Sequence, residues 1–115
     1  MACIHYPEPD TALDCGRQFV LSVYNGNFKR AAQLVEQNGE NVSVLHQKFE
    51  APFRSSDSFV KDSLSQASLI IHRITAEKDG GCIIFFQNAL TQQPDSFRVI
   101  ADGEKWRVRL SKTFQ

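Results

Sequence analysis

The stretch Leu69-Ile70-Ile71-His72-Arg73-Ile74-Thr75-Ala76-Glu77-Lys78-Asp79-Gly80-Gly81-Cys82-Ile83-Ile84-Phe85-Phe86 decides the fold. Two runs rich in β-branched and aromatic residues flank Asp79-Gly80-Gly81, residue types that turn a hairpin. The pattern continues downstream. Cys82 to Thr91 reads as the second strand, and Gln92 to Asp95, with Pro94, as a loop. Ser96 to Ala101 then alternates Phe97, Val99 and Ala101 against Arg98 and Ile100. Asp102-Gly103 turns the chain again, and Lys105 to Thr113 alternates Trp106, Val108 and Leu110 against Arg107 and Arg109. Turns this short force antiparallel neighbours, so the back half is a four-stranded meander.

Upstream of Leu69 the apolar period is helical. Met1 to Asp10 carries Pro7 and Pro9 and reads as an extended lead-in to a single domain over 11–115. Thr11-Ala12-Leu13-Asp14 fits a capping box, and Ala12, Cys15, Phe19 and Val23 form a stripe that runs to Tyr24. Asn25-Gly26 stops that helix, and Asn27 caps a second one carrying Phe28, Ala31, Ala32, Leu34 and Val35, which Asn38-Gly39 should end. Asn41 to Glu50 suits a helix by Val42, Leu45 and Phe49 and a strand by Val42 and Val44; Ala51-Pro52 should break either. Ser55, Ser56 and Asp57 offer caps for a helix through Phe59, Val60, Ser63, Leu64 and Ala67. The greasy side of the meander needs a cover, and these helices are what the chain supplies. The expected class is α+β, with N-terminal helices on one face of a curved four-stranded antiparallel sheet.

Composition excludes several functions. The 115 residues hold 13 basic and 13 acidic side chains, so the chain lacks the basic excess that nucleic-acid binders usually show, and no nucleic-acid partner is expected. The basic run Lys105-Trp106-Arg107-Val108-Arg109 alternates with apolar residues as a half-buried strand does. Three cysteines, Cys3, Cys15 and Cys82, have neither an even count nor CxxC spacing, which speaks against a disulfide framework or a zinc site; a Cys3–Cys15 or Cys15–Cys82 bridge stays open. His5, His46 and His72 show no ligand spacing, so no metal and no cofactor is expected. No apolar run approaches the roughly 20 residues that cross a bilayer. GxSxG, HExxH and glycine-rich phosphate loops are missing. Asn41-Val42-Ser43 is a formal glycosylation sequon, and chance produces such triplets often.

Two stretches carry a resemblance to a known family: Phe19-Val20-Leu21-Ser22-Val23-Tyr24-Asn25-Gly26-Asn27-Phe28-Lys29-Arg30-Ala31-Ala32, and Asp102-Gly103-Glu104-Lys105-Trp106-Arg107-Val108. Between them they bracket nearly the whole chain. The first is similar to the helix, tight step and alanine-bearing second helix that open the nuclear transport factor 2-like (cystatin-like) superfamily. The second resembles that superfamily's turn into a last tryptophan-bearing strand. Within it the chain looks most like small bacterial domains of unknown function, often lipoproteins whose mature chain starts at a cysteine. Ala2-Cys3, the linker to Asp10 and the helix at Thr11 follow that order, so the resemblance implies a lipid anchor at Cys3 in the cell envelope; a cytoplasmic protein with an ordinary Cys3 is the equal alternative.

The resemblance also implies a cone-shaped cavity between helices and sheet. Its candidate lining here is Tyr24, His72, Asn88 and Trp106, with Gln87 replacing Asn88 in the other register. Inward strand positions supply no assignable Asp or Glu. His72 is therefore the candidate catalytic base, because imidazole titrates near neutrality, though a lone strand histidine serves packing as readily. Two readings follow. One is a non-catalytic module that binds a small apolar ligand or a protein, with a homodimer through the outer sheet face bearing Arg73, Gln87, Arg98, Arg107 and Arg109. In that reading an exposed Ile83 or Ile100 would mark the contact. The other is a cofactor-free isomerase, cyclase or dehydratase acting on a small hydrophobic substrate, with His72 as base and Tyr24 and Asn88 as donors.

Overall fold

The computed structural model describes residues 8–78 and 80–110. Cys3, where an anchor was expected, most of the proline-bearing lead-in, Asp79 and the expected strand residues 111–113 lie outside the described residues.

Helix α1 (Ala12–Tyr24) starts where Thr11 accepts the Asp14 N–H at 3.0 Å. The box is half closed: Asp14 takes the Gln18 amide at 2.9 Å. Its buried stripe is Ala12, Cys15, Gly16, Phe19, Val20, Val23 and Tyr24. Gly26, at φ +72°, reverses the chain, and Asn27 accepts the Arg30 N–H at 3.1 Å to open α2 (Phe28–Leu34). The second helix, expected to run up to Asn38-Gly39, ends at Leu34, because Val35 is extended and bridges Val108 in parallel.

Asn38-Gly39, expected to end a helix, begins one. Asn38 is extended and accepts the Asn41 N–H at 2.9 Å, capping α3 (Gly39–Val44). The ambiguous third element is thus a helix. It runs on through a π-helical stretch, Leu45–Glu50, into α4 (Ala51–Ser55), so Ala51-Pro52 does not break it. The π winding explains why. Ala51 N–H reaches back five residues to His46 C=O, and at that wider turn the proline ring escapes the carbonyl it would strike in an α-helix. Asp57 then caps α5 (Ser58–Ser65) through the Val60 N–H at 2.9 Å.

The sheet comprises β1 (Ile70–Ala76), β2 (Cys82–Asn88), β3 (Gln93–Asp102) and β4 (Lys105–Arg109), side by side in chain order and antiparallel throughout. The α+β class and the meander therefore stand as read. One boundary moved. β3 starts at Gln93, so most of the expected loop around Pro94 is strand. β4 pairs only with Arg98–Asp102, which leaves Pro94 a neighbour on one side alone, where a missing N–H costs no ladder bond. The reversal spans Ala89 to Gln92, closed by the Gln92 N–H on Asn88 C=O at 2.7 Å, with Gln92 at φ 59°.

Inward positions Cys82, Ile84, Phe86, Phe97, Val99 and Val108 are buried against α1, α2 and the π stretch. Phe19 meets Phe49 and Phe97 edge to face, each at 5.5 Å, and Phe97 meets Phe86 at 5.4 Å. Helix α1 comes so close to the sheet at Gly16 that an added Cβ would lie 2.3 Å from Ile84 Cδ1.

Candidate functional site

The four residues expected to share a cavity separate. His72 is exposed on the edge strand. Ile71 pairs with Phe86 and Arg73 with Phe85, so His72 is the extra residue of a β-bulge, with no partner in β2. Trp106 is half-buried, and its ring reaches the first hairpin, where a Cβ on Gly80 would lie 3.7 Å from Cη2.

Tyr24 and Asn88 lie at the same end of the sheet, Tyr24 bonding the backbone on either side of Asn88. The Tyr24 hydroxyl accepts the Ala89 N–H at 2.9 Å and donates to Gln87 C=O at 3.4 Å; burial raises its pKa, and the Ala89 bond opposes that shift. Asn88 donates to Asp95 at 3.1 Å and accepts the Leu90 N–H at 2.9 Å. Asp95 pairs with Phe86, on the inward row, so the sheet does carry an inward carboxylate; the sequence hid it inside an apparent loop. It holds Lys48 at 2.8 Å and the Ser96 N–H at 2.8 Å. Tyr24 is 2% and Asn88 1% exposed; Tyr24 ties the β2–β3 turn to α1, and Asp95 ties Asn88 to Lys48 of the π stretch. At the level of Phe19, Phe49, Phe86 and Phe97, packed rings occupy the space between α1 and the sheet.

An open cleft of about 540 Å³ lies instead between α2 and the long third helix. Its apolar floor is Phe28, Ala32, Val42 and Leu45; Lys29, His46, Glu50 and Arg54 also line it. The Phe28 and Phe53 rings meet edge to face at 5.4 Å, which joins α2 to α4 beside the cleft. Gly26 belongs to the same contact, since a Cβ there would sit 2.8 Å from the Phe53 ring. Along the far wall, Glu50 accepts from His46 Nδ1 at 3.0 Å and from Arg54 Nε at 2.9 Å. Those two bonds, His46 first, hold the Glu50 carboxyl below its ordinary pKa. Arg54 is thus paired with Glu50 along that wall, and Lys29 is the other cation in the lining. π segments recur at functional sites, and this one supplies Leu45, His46 and Glu50.

The sequence did hold a signal for this wall. His46, Glu50 and Arg54 recur at four-residue steps, the spacing that aligns side chains on one helix face. The strand-or-helix ambiguity of Asn41 to Glu50 concealed it. No His/Cys/Asp/Glu cluster able to hold a metal occurs among the described residues. Cys15 and Cys82 are free thiols, so no Cys15–Cys82 bridge exists. Burial pushes the Cys15 thiol up to about 12, which makes it a packing residue.

On the outer sheet face Ile100 is 7% exposed and Ile83 half-buried. No helix among the described residues is long and apolar enough to cross a membrane. Comparison with protein-family models, with curated proteins and with solved structures found no match.

Proposed function

We propose that the chain is a small binding module of the nuclear transport factor 2-like kind, and that it takes a small amphipathic anion in the cleft between α2 and the third helix. The observation that carries this reading is the cleft's composition: Lys29 and the Arg54–Glu50 pair line it together with apolar Phe28, Ala32, Val42 and Leu45. Such a surface favours a carboxylate or phosphate on a short apolar body. A neutral apolar ligand would suit an interior cavity better, and four phenylalanine rings pack that interior.

The test is an amide-resolved NMR titration with phenyl phosphate and benzoate, using benzyl alcohol as the neutral control. The anions should shift amides from Gly26 to Lys29 and from His46 to Arg54, and Lys29→Glu should weaken binding about tenfold or more. Shifts confined to Tyr24, Asn88 and the β2–β3 turn, with the alcohol as effective as the anions, would sink the reading and restore the interior site.

The enzymatic reading moves to the same cleft. His46 is exposed, as His72 is; what sets it apart is its Nδ1 on Glu50, the carboxylate contact that orients an imidazole for general-base chemistry.

A further inference from the structure

The two edges of the sheet are treated differently. The outer edge of β4 is occupied: Val35 bridges Val108, Glu36 N–H donates to Val108 C=O at 2.8 Å, and Arg109 holds the Glu36 carboxylate at 2.9 Å. Nothing among the described residues covers the outer edge of β1. That strand carries β-branched residues and no proline, and its bulge at His72 leaves the run from Arg73 to Ala76 in regular register. Ile74 pairs with the buried Ile84 on the inward face, yet it is 43% exposed, and Ala76 beside it is exposed as well. The helical layer stops short of this edge.

Backbone parity fixes which groups face outward. Glu77 N–H donates to Gly81 C=O at 2.9 Å, so Glu77, Thr75 and Arg73 bond inward to β2. Ile74 and Ala76 therefore aim their N–H and C=O groups at the open edge.

We propose that two copies of the chain join through β1, antiparallel about a two-fold axis at Thr75, so that one sheet runs through both. In that register Ile74 lies opposite Ala76 of the second copy, and the outward backbone groups of each strand meet those of the other. The exposed apolar side chains cover one another on the inward side. On the outer side Arg73 lies opposite Glu77 of the second copy, twice by symmetry. Arg73 is already held on that side, its guanidinium 4.3 Å over the Phe85 ring. Glu77 holds its own Arg98 through Oε1 at 2.6 Å, and a carboxylate has a second oxygen to offer. Shifting the axis to Ile74 sets Arg73 against Thr75, and shifting it to Ala76 sets Ile74 against Lys78. The charges favour Thr75.

Sedimentation velocity from low micromolar to millimolar concentration tests this on the whole chain. The wild type should form a dimer. Ile74→Pro should leave a folded monomer, because the N–H it removes points outward. Ile74→Lys reaches the same end without touching the backbone, should the proline variant fail to fold. Arg73→Glu and Glu77→Arg should each weaken the dimer about tenfold or more, and the two together should restore it. A wild type that stays monomeric at millimolar concentration overturns the proposal. A dimer indifferent to both Ile74 variants overturns it too, placing the contact elsewhere, the outer sheet face included. Failure of the charge swap overturns the Thr75 register.

Discussion

Asn41 shows how far a residue's role lies from its type. It is the first letter of a sequon of the kind chance often produces, and it is fully buried. Its Oδ1 accepts the Leu110 N–H at 2.7 Å, and its Nδ2 donates to Glu36 at 3.2 Å, so one amide joins α3 to the end of the sheet. Removing the side chain strands a buried N–H, which costs about 1–3 kcal/mol. Asn41→Ala should therefore lower the stability read from urea unfolding by that amount while the far-UV spectrum stays unchanged. A loss under a few tenths of a kcal/mol would mean that water replaces the amide. Tyr24 teaches the same lesson. Position alone put its hydroxyl toward a cavity, and the fold uses it to hold the β2–β3 turn.

At the scale of elements, the strands were legible because their signals are local. Asp79-Gly80-Gly81 and Asp102-Gly103 mark two of the three reversals, and alternation marks the faces. The third reversal hid behind Pro94, because whether a proline fits a strand depends on how far the neighbouring strand extends, and no local pattern records that. The third helix hid behind Pro52 for a related reason: a proline signals a break only if the winding before it is α-helical. The candidate cleft was lost with that helix. Tertiary closeness was equally invisible at Gly16, which reads as an ordinary helix flaw. It is the point where α1 meets Ile84 and Phe97. Gly16→Ala should destabilise the chain by about 1–3 kcal/mol despite alanine's better helix propensity, because the new methyl overpacks the core. The compensating change is specific. Ile84→Val removes Cδ1 and alone costs about 0.5–1.5 kcal/mol, and in the double variant the two losses should be well below additive. Strict additivity in thermal or urea unfolding would show that α1 does not meet the sheet there.

At the scale of the molecule, a chain of zero net charge places several arginines on one sheet face and neutralises them from afar. Arg107 takes Glu8, 99 positions away, and Arg109 takes Glu36, 73 away, while Arg98 takes Glu77 across the sheet. The sequence displays the cations but not these partners, which is why the outer face looked free for a neighbour. The same pairs make stability depend on acid. The Arg109 hydrogen bond, the largest influence, holds the Glu36 carboxyl below its ordinary 4.5, and Arg107 does the same for Glu8. A carboxyl depressed in the folded state adds stability in full above its unfolded pKa and loses it as pH falls through the folded value. The urea midpoint should therefore hold steady from neutrality down to about pH 5 and fall below 4.5, with Glu36→Gln less stable at neutral pH and less sensitive to acid. The gap between wild type and Glu36→Gln should close as the pH approaches 3, since protonated Glu36 is close to a glutamine in charge. A gap that stays constant across that range would mean that Glu36 stabilises β4 through packing and its neutral bonds alone, with the Arg109 pair contributing nothing.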